Sequence, residues 1–291
     1  MLESLRLSSE DDISIRPLYG LSMLRYLRSL WLQRIDPSSG DLRNVLPGLG
    51  NMCSLRIHHN GYFLRPPAVG VLPDSLERLH LETTECRHDS EQFNQLLRVI
   101  GALPNLMELV IDDQYLDCDA EVVDWLGLLP VASRLVKLKL NFQAYDRGNF
   151  CELLLEMKDL KSLDLMDFDN TEALLRNISL LTSLESLKIR STSQVSLESR
   201  TNFERLFNGP VGRSLTSCRL RFDIADEQVA ESLIQYFKEQ VESLFQMRDM
   251  RALELVLRST ATRAIRSSRR SSPFREARLF GGEDGFIREI L

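Results

Sequence analysis

The feature that most constrains this chain is a spaced leucine phrase that keeps returning. Met157-Lys-Asp-Leu160-Lys-Ser-Leu163-Asp-Leu165 is followed by Leu181-Thr-Ser-Leu184-Glu-Ser-Leu187-Lys-Ile189, and both fit L-x-x-L-x-x-L-x-L. Anchored on the last apolar residue, the phrase recurs at Leu7, Leu32, Ile57, Leu81, Ile111, Leu140, Leu165, Ile189, Leu220 and Leu255. The intervals are 25, 25, 24, 30, 29, 25, 24, 31 and 35 residues. Self-similarity at a period of roughly 20–50 residues marks an architecture of stacked repeats.

In L-x-L the two apolar residues of an extended segment point one way and the residue between them points the other. One such short strand cannot bury its own pair. Neighbouring strands stacked in parallel share a continuous core, and the returning chain packs on its outer side. The expected fold is therefore α/β: a solenoid curved like a horseshoe, with parallel strands on the concave face and helices and irregular loops on the convex face. The repeats fill residues 1–257. Apolar spacings of three and four predict helical returns at 88–102, 121–129, 150–157, 172–181 and 225–247. Asn60-Gly61, Pro66-Pro67 and Gly70 predict irregular turns over 58–72 instead. A ladder of asparagines three places after L-x-L is mostly missing: Asn60 has it, while Thr84, Gln114, Gln143 and Thr192 hold the place elsewhere.

The two ends are expected to differ from the middle. The first repeat begins without a capping element, which favours a fragment of a longer protein or a covering partner. Residues 258–291 abandon the leucine pattern and, with eight Arg, read as a basic Ser/Arg-rich flexible tail. Within it, Arg269-Arg270-Ser271-Ser272-Pro273 resembles a kinase substrate site, making Ser271 and Ser272 candidates for phosphorylation. Met1 runs directly into repeat sequence with no secretory leader, and five cysteines make an odd count for a disulfide framework. A cytoplasmic or nuclear protein is the expectation, with no membrane partner.

Motifs for chemistry are missing. There is no G-x-S-x-G, phosphate-binding loop or H-E-x-x-H in the chain. No enzymatic activity, cofactor, metal or small-molecule ligand is expected. His58 and His80 fall on the exposed side of adjacent strands without the further ligands a metal needs.

The variable letters of the strands carry more. Three exposed positions per strand, taken over ten strands, hold nine cations: Arg6, Arg56, Arg78, Lys137, Lys139, Lys188, Arg190, Arg219 and Arg221. They hold five acids: Glu82, Glu108, Asp112, Asp164 and Glu254. The face is thus net positive on a chain of net charge −6. Lys188, Arg190, Arg219 and Arg221 should form a basic patch on two neighbouring strands, and Trp31 stands as an exposed aromatic anchor. The partner-binding candidates are Trp31, Arg56, His80, Lys137, Lys139, Lys188, Arg190, Arg219 and Arg221. Three readings stay open: cations that merely solubilise the sheet, a protein partner with an acidic or phosphorylated segment, and nucleic acid. The scarcity of aromatics among the cations weighs against the last.

The leucine pattern over 1–257 resembles the leucine-rich-repeat superfamily. The irregular periods, the poor asparagine ladder and Leu72-Pro-Asp-Ser-Leu76-Glu-Arg-Leu79-His-Leu81 look most like repeat regions of F-box/leucine-rich-repeat proteins, especially divergent fungal ones. That resemblance implies a non-catalytic scaffold whose repeats capture a substrate for ubiquitination, although no stretch matches an F-box. The alternative from another class is a leucine-rich-repeat regulator of a small GTPase.

Overall fold

A computed structural model describes residues 2–13, 16–35, 44–59, 72–83, 90–113, 123–144, 149–168, 171–194, 198–224, 227–247, 250–259, 276–282 and 288–290. The chain divides into two compact units, Met1–Leu160 and Lys161–Leu291. Each has the α/β leucine-rich-repeat solenoid architecture.

In the first unit six strands follow one another in sequence order, all parallel. They are β1 Ser4–Ile13, β2 Ser29–Ile35, β3 Ser54–His59, β4 Arg78–Thr83, β5 Glu108–Asp113 and β6 Lys137–Ala144. The anchors form one register line, Leu7, Leu32, Ile57, Leu81, Ile111 and Leu140, each paired with the next. From β2 to β6 both residues of every L-x-L are at most 2% exposed. In β1, Leu5 and Leu7 are half-buried, since they have core neighbours on one side only.

The helix Ser90–Gly101 places Phe93, Leu96, Leu97 and Ile100 in the core, as their spacing predicts. Residues 121 and 122 of the helical return expected over 121–129 lie outside the described residues, and from 123 on the chain departs from an α-helix: a 3-10 turn, Trp125–Leu128, runs into the short helix Leu129–Ala132. Asp124 caps that turn by accepting the Leu126 N–H at 3.2 Å, and Pro130 opens the short helix, where its missing N–H costs nothing. The tighter turn seats Trp125 edge-on to Phe93 and Phe150, with ring centroids 6.2 and 4.9 Å apart. Phe150 comes from the expected helix, here Asn149–Leu155, so one aromatic spine joins three successive returns.

In the second unit β7 Ser162–Phe168, β8 Ser186–Gln194, β9 Ser217–Ile224 and β10 Ala252–Ser259 are parallel, with Leu165, Ile189, Leu220 and Leu255 in line. Helices at Thr171–Ile178 and Glu227–Met247 match the spacing read from the sequence. Those at Glu198–Asn208 and Pro210–Ser214 go beyond it. Glu198–Asn208 carries Phe203, which meets Phe222 at 5.6 Å and Phe237 at 5.3 Å. Its Ser199 and Asn202, both buried, donate to the two oxygens of Glu172 at 2.7 and 3.0 Å, tying one helical return to the next.

Beyond β10, β11 Glu276–Gly282 pairs antiparallel with it, and β12 Arg288–Ile290 pairs antiparallel with β11. These two stretches lie inside the segment read as a flexible tail, and there the chain is strand. The switch to antiparallel pairing lets a strand join without a helical crossover. Ser271 and Ser272 lie outside the described residues, as do Asn60-Gly61 and Pro66-Pro67.

The seams between repeats are chemically uniform. At eight strand starts among the described residues one carbonyl accepts two successive N–H groups of the next repeat. Glu3 takes Arg28 and Ser29, and Arg28 takes Cys53 and Ser54. Cys53, Glu77 and Met107 continue the series, with Lys161, Glu185 and Thr216 in the second unit. Side chains reinforce it across repeats: Asn51 donates to the Arg25 carbonyl, Ser75 to Met52, Asn105 to Asp74 and Ser214 to Leu184, each at 2.8 Å. The side chains of Asn60, Thr84, Gln114, Gln143 and Thr192, which hold the places of an asparagine ladder, lie outside the described residues. The polar ladder that is described runs before the strands.

Candidate binding surface

Because the anchors align, every exposed strand position also falls into a lateral row, and the rows decide which charges meet. In the first unit the row between the core residues reads Arg6, Trp31, Arg56, His80, Val110 and Lys139. The row after them reads Ser8, Gln33, His58, Glu82, Asp112 and Asn141.

Trp31 does not stand alone. The Arg6 guanidinium lies 3.4 Å above its ring and that of Arg56 4.5 Å from it. Arg6 also donates to Gln33 at 2.8 Å. Arg56 pairs with Glu82 at 3.2 Å, and Glu82 further receives His58 at 3.1 Å and faces His80 at 3.8 Å. Burial, followed by the nearby Arg56 charge, pushes His80 down to about 4, so at neutral pH it carries no charge. Burial alone would raise the Glu82 carboxyl, but hydrogen bonds from His58 and Arg56 outweigh it and hold the group below its ordinary range. Lys139 meets Asp112 at 2.7 Å, Asn141 donates to the same carboxylate at 2.6 Å, and Lys137 reaches Glu108 at 3.9 Å. Arg56, Lys137 and Lys139 are thus each matched by a carboxylate of this face.

The second unit is arranged differently. Lys188 and Arg219 are register partners on β8 and β9, and so are Arg190 and Arg221. All four named residues of the expected basic patch therefore come together. Lys188 pairs with Asp164 at 3.1 Å and Arg219 with Glu254 at 3.8 Å. Among the described residues no carboxylate stands within ion-pairing distance of Arg190 or Arg221. Their row continues to Met166 on one side and Val256 on the other. Together with Ile189 and Leu220, these residues line an open depression of about 350 Å³.

Five of the nine face cations are paired one-to-one with the five face acids. Arg6, Arg78, Arg190 and Arg221 are left, and of these Arg190 and Arg221 are direct lateral neighbours. Two arginines in register on adjacent strands can offer planar forks of N–H donors to an anion. Met166 and Val256, which frame the pair, escaped a reading that looked for charge. Their place was nonetheless implied by counting equal distances from each anchor.

A second depression, of about 520 Å³ in the first unit, lies at the starts of the strands and is lined by Glu3, Tyr26, Arg28, Gly50, Asn51, Cys53, Ser75, Glu77 and Asn105. With two carboxylates against one guanidinium it has the opposite charge balance. Among the described residues no group of three His, Cys, Asp or Glu side chains is placed to hold a metal ion. No helix there is long and apolar enough to cross a membrane.

No known family profile and no curated protein matches this chain. Among solved structures it is similar to an internalin C2 from Listeria monocytogenes. Identity is 14% and the TM-score 0.33, over 74% of this chain and 70% of that one. At that score the fold assignment rests on this chain's own repeat and register, independently of the neighbour.

Proposed function

We propose that this chain is a non-catalytic protein-interaction scaffold that takes an acidic segment of a partner protein across β8 and β9. The observation that supports this reading is the Arg190–Arg221 pair in an open depression, with no carboxylate within ion-pairing distance among the described residues. Clustered charge of one sign steers an oppositely charged partner and sets its register. The resemblance to F-box repeat regions extends the reading one step: the captured protein would be a substrate for ubiquitination. That extension stands on the resemblance.

A fluorescein-labelled glutamate-rich peptide, titrated at low and moderate salt, tests the surface. Arg190→Glu with Arg221→Glu should weaken its binding by at least about tenfold, the equivalent of roughly 1.4 kcal/mol. Lys137→Ala with Lys139→Ala should change it by less than about twofold, because those cations are already neutralised within the face. Equal losses in the two double variants would show that general charge, and not the pair, governs binding.

A further inference from the structure

We infer that Arg190 and Arg221 form a seat for a single phosphomonoester dianion, carried on a phosphorylated serine or threonine side chain of the partner protein. This rests on the scaffold reading of the same face and sharpens it from acidic character to one chemical group.

Charge balance is the first argument. Among the described residues Lys188, Arg190, Arg219 and Arg221 stand against Asp164 and Glu254, so four cations meet two carboxylates and two positive charges are left. Both belong to the row of Arg190 and Arg221. A phosphomonoester carries about −1.5 to −2 at neutral pH, whereas one carboxylate would leave a guanidinium unmatched.

Geometry is the second. Arg190 and Arg221 are in register on adjacent strands, whose backbones run about 4.8 Å apart. Two arginine side chains rooted at that backbone spacing can bring their guanidinium forks onto the three terminal oxygens of one phosphate, which a planar carboxylate with two oxygens cannot satisfy as fully. The neighbours in the row give the third argument. Met166 and Val256 bring no carboxylate to compete for the guanidiniums, and they lower the local polarity, which strengthens a charge-assisted contact. The depression of about 350 Å³ has room for a phosphorylated side chain. None of the nine described residues that line it is aromatic, which weighs against stacked bases.

The full chain is titrated by fluorescence anisotropy with three labelled peptide pools, degenerate around a central phosphoserine, glutamate or serine, and with a single-stranded oligonucleotide of similar length. The unmodified chain should bind the phosphoserine pool at least about tenfold tighter than the glutamate pool. Arg190→Lys with Arg221→Lys keeps the charge but removes the forks. It should reduce that preference below about threefold while leaving the glutamate pool within about twofold. Lys188→Gln with Arg219→Gln should weaken both pools alike and preserve the preference. Circular dichroism melts check that each variant folds like the parent.

Equal affinity for the phosphoserine and glutamate pools in the unmodified chain would overturn the phosphate seat and leave the acidic-segment scaffold standing. Binding of neither pool would overturn both. A preference that survives the double lysine variant would also remove the seat from this pair. An oligonucleotide that outcompetes the phosphoserine pool would reassign the pair to nucleic acid. Inorganic phosphate should displace the phosphoserine pool only near millimolar concentration, about 4 kcal/mol of binding. Displacement in the micromolar range would make this a site for the free anion and overturn the side-chain proposal.

Discussion

His80 lies 3.8 Å from the Glu82 carboxylate and yet is neutral at pH 7, held to about 4 by burial and by Arg56. Arg56, His58, Glu82, Asp112 and Lys139 surround it on β3, β4, β5 and β6. When the chain unfolds, His80 regains its ordinary value of 6.5. Between 6.5 and about 4 the unfolded state therefore binds the extra proton, and stability is lost as the pH falls through that window. The lowered Glu82 carboxyl adds a loss of the same sign below the ordinary carboxylate range. Urea unfolding should show the parent losing about 2–3 kcal/mol from this histidine between pH 7 and pH 4. His80→Asn should flatten that part of the curve. The same slope in both proteins would contradict the argument. Little of this was readable in the residues one at a time. His80 reads as an ordinary surface histidine until Arg56 and Lys139 are known to flank it from neighbouring strands.

Elements show where periodic pattern is a good guide and where it falls short. The helix Ser90–Gly101 announces itself by Phe93, Leu96, Leu97 and Ile100, and all four are buried. Glu198–Asn208 is quieter: its first half is polar, and Ser199 and Asn202 face inward because Glu172 on another helix satisfies them. Hydrophobic spacing cannot reveal an inward polar residue whose partner is some thirty positions away. Close backbone approach is equally hidden. A Cβ on Gly101 would overlap the Gly127 carbonyl oxygen, where the end of the helix Ser90–Gly101 meets the Trp125–Leu128 turn. Gly101→Ala should therefore destabilise by about 1–3 kcal/mol, through overpacking against rigid backbone. Gly20→Ala, where nothing lies within 4 Å of the added carbon, should stay within about 0.5 kcal/mol. Urea denaturation of the pair decides it: equal shifts would mean that the Gly101 contact relaxes freely.

For the chain as a whole, the leucine phrase made the frame legible, because burial of an L-x-L pair admits one solution and the chain repeats it. All ten anchors lie on strands, and those within each unit share a line. The binding face was legible only as an inventory. Nine cations and five acids could be counted, but whether Lys139 remains available or is spent on Asp112 depends on the lateral row. The rows in turn require the unequal returns to close into a common register. Once they do, Arg190 and Arg221 emerge as the neighbouring cations that the face leaves unmatched.

The uniform seams at the strand starts have a further consequence: the chain is modular in whole turns and intolerant of fractions. Deleting residues 54–77 joins Cys53 to Arg78. The Arg28 carbonyl would still receive two successive N–H groups, now from Cys53 and Arg78, and Leu79 and Leu81 would take the places of Leu55 and Ile57. Deleting 54–76 instead shifts the incoming strand by one residue and turns its leucines to solvent. The first deletion should keep a single cooperative urea transition and the second should lose it. Identical behaviour of the two would mean that the seams do not set the phase. If they do, a protein of this kind can change its length by copying or losing turns while its surface letters diverge freely.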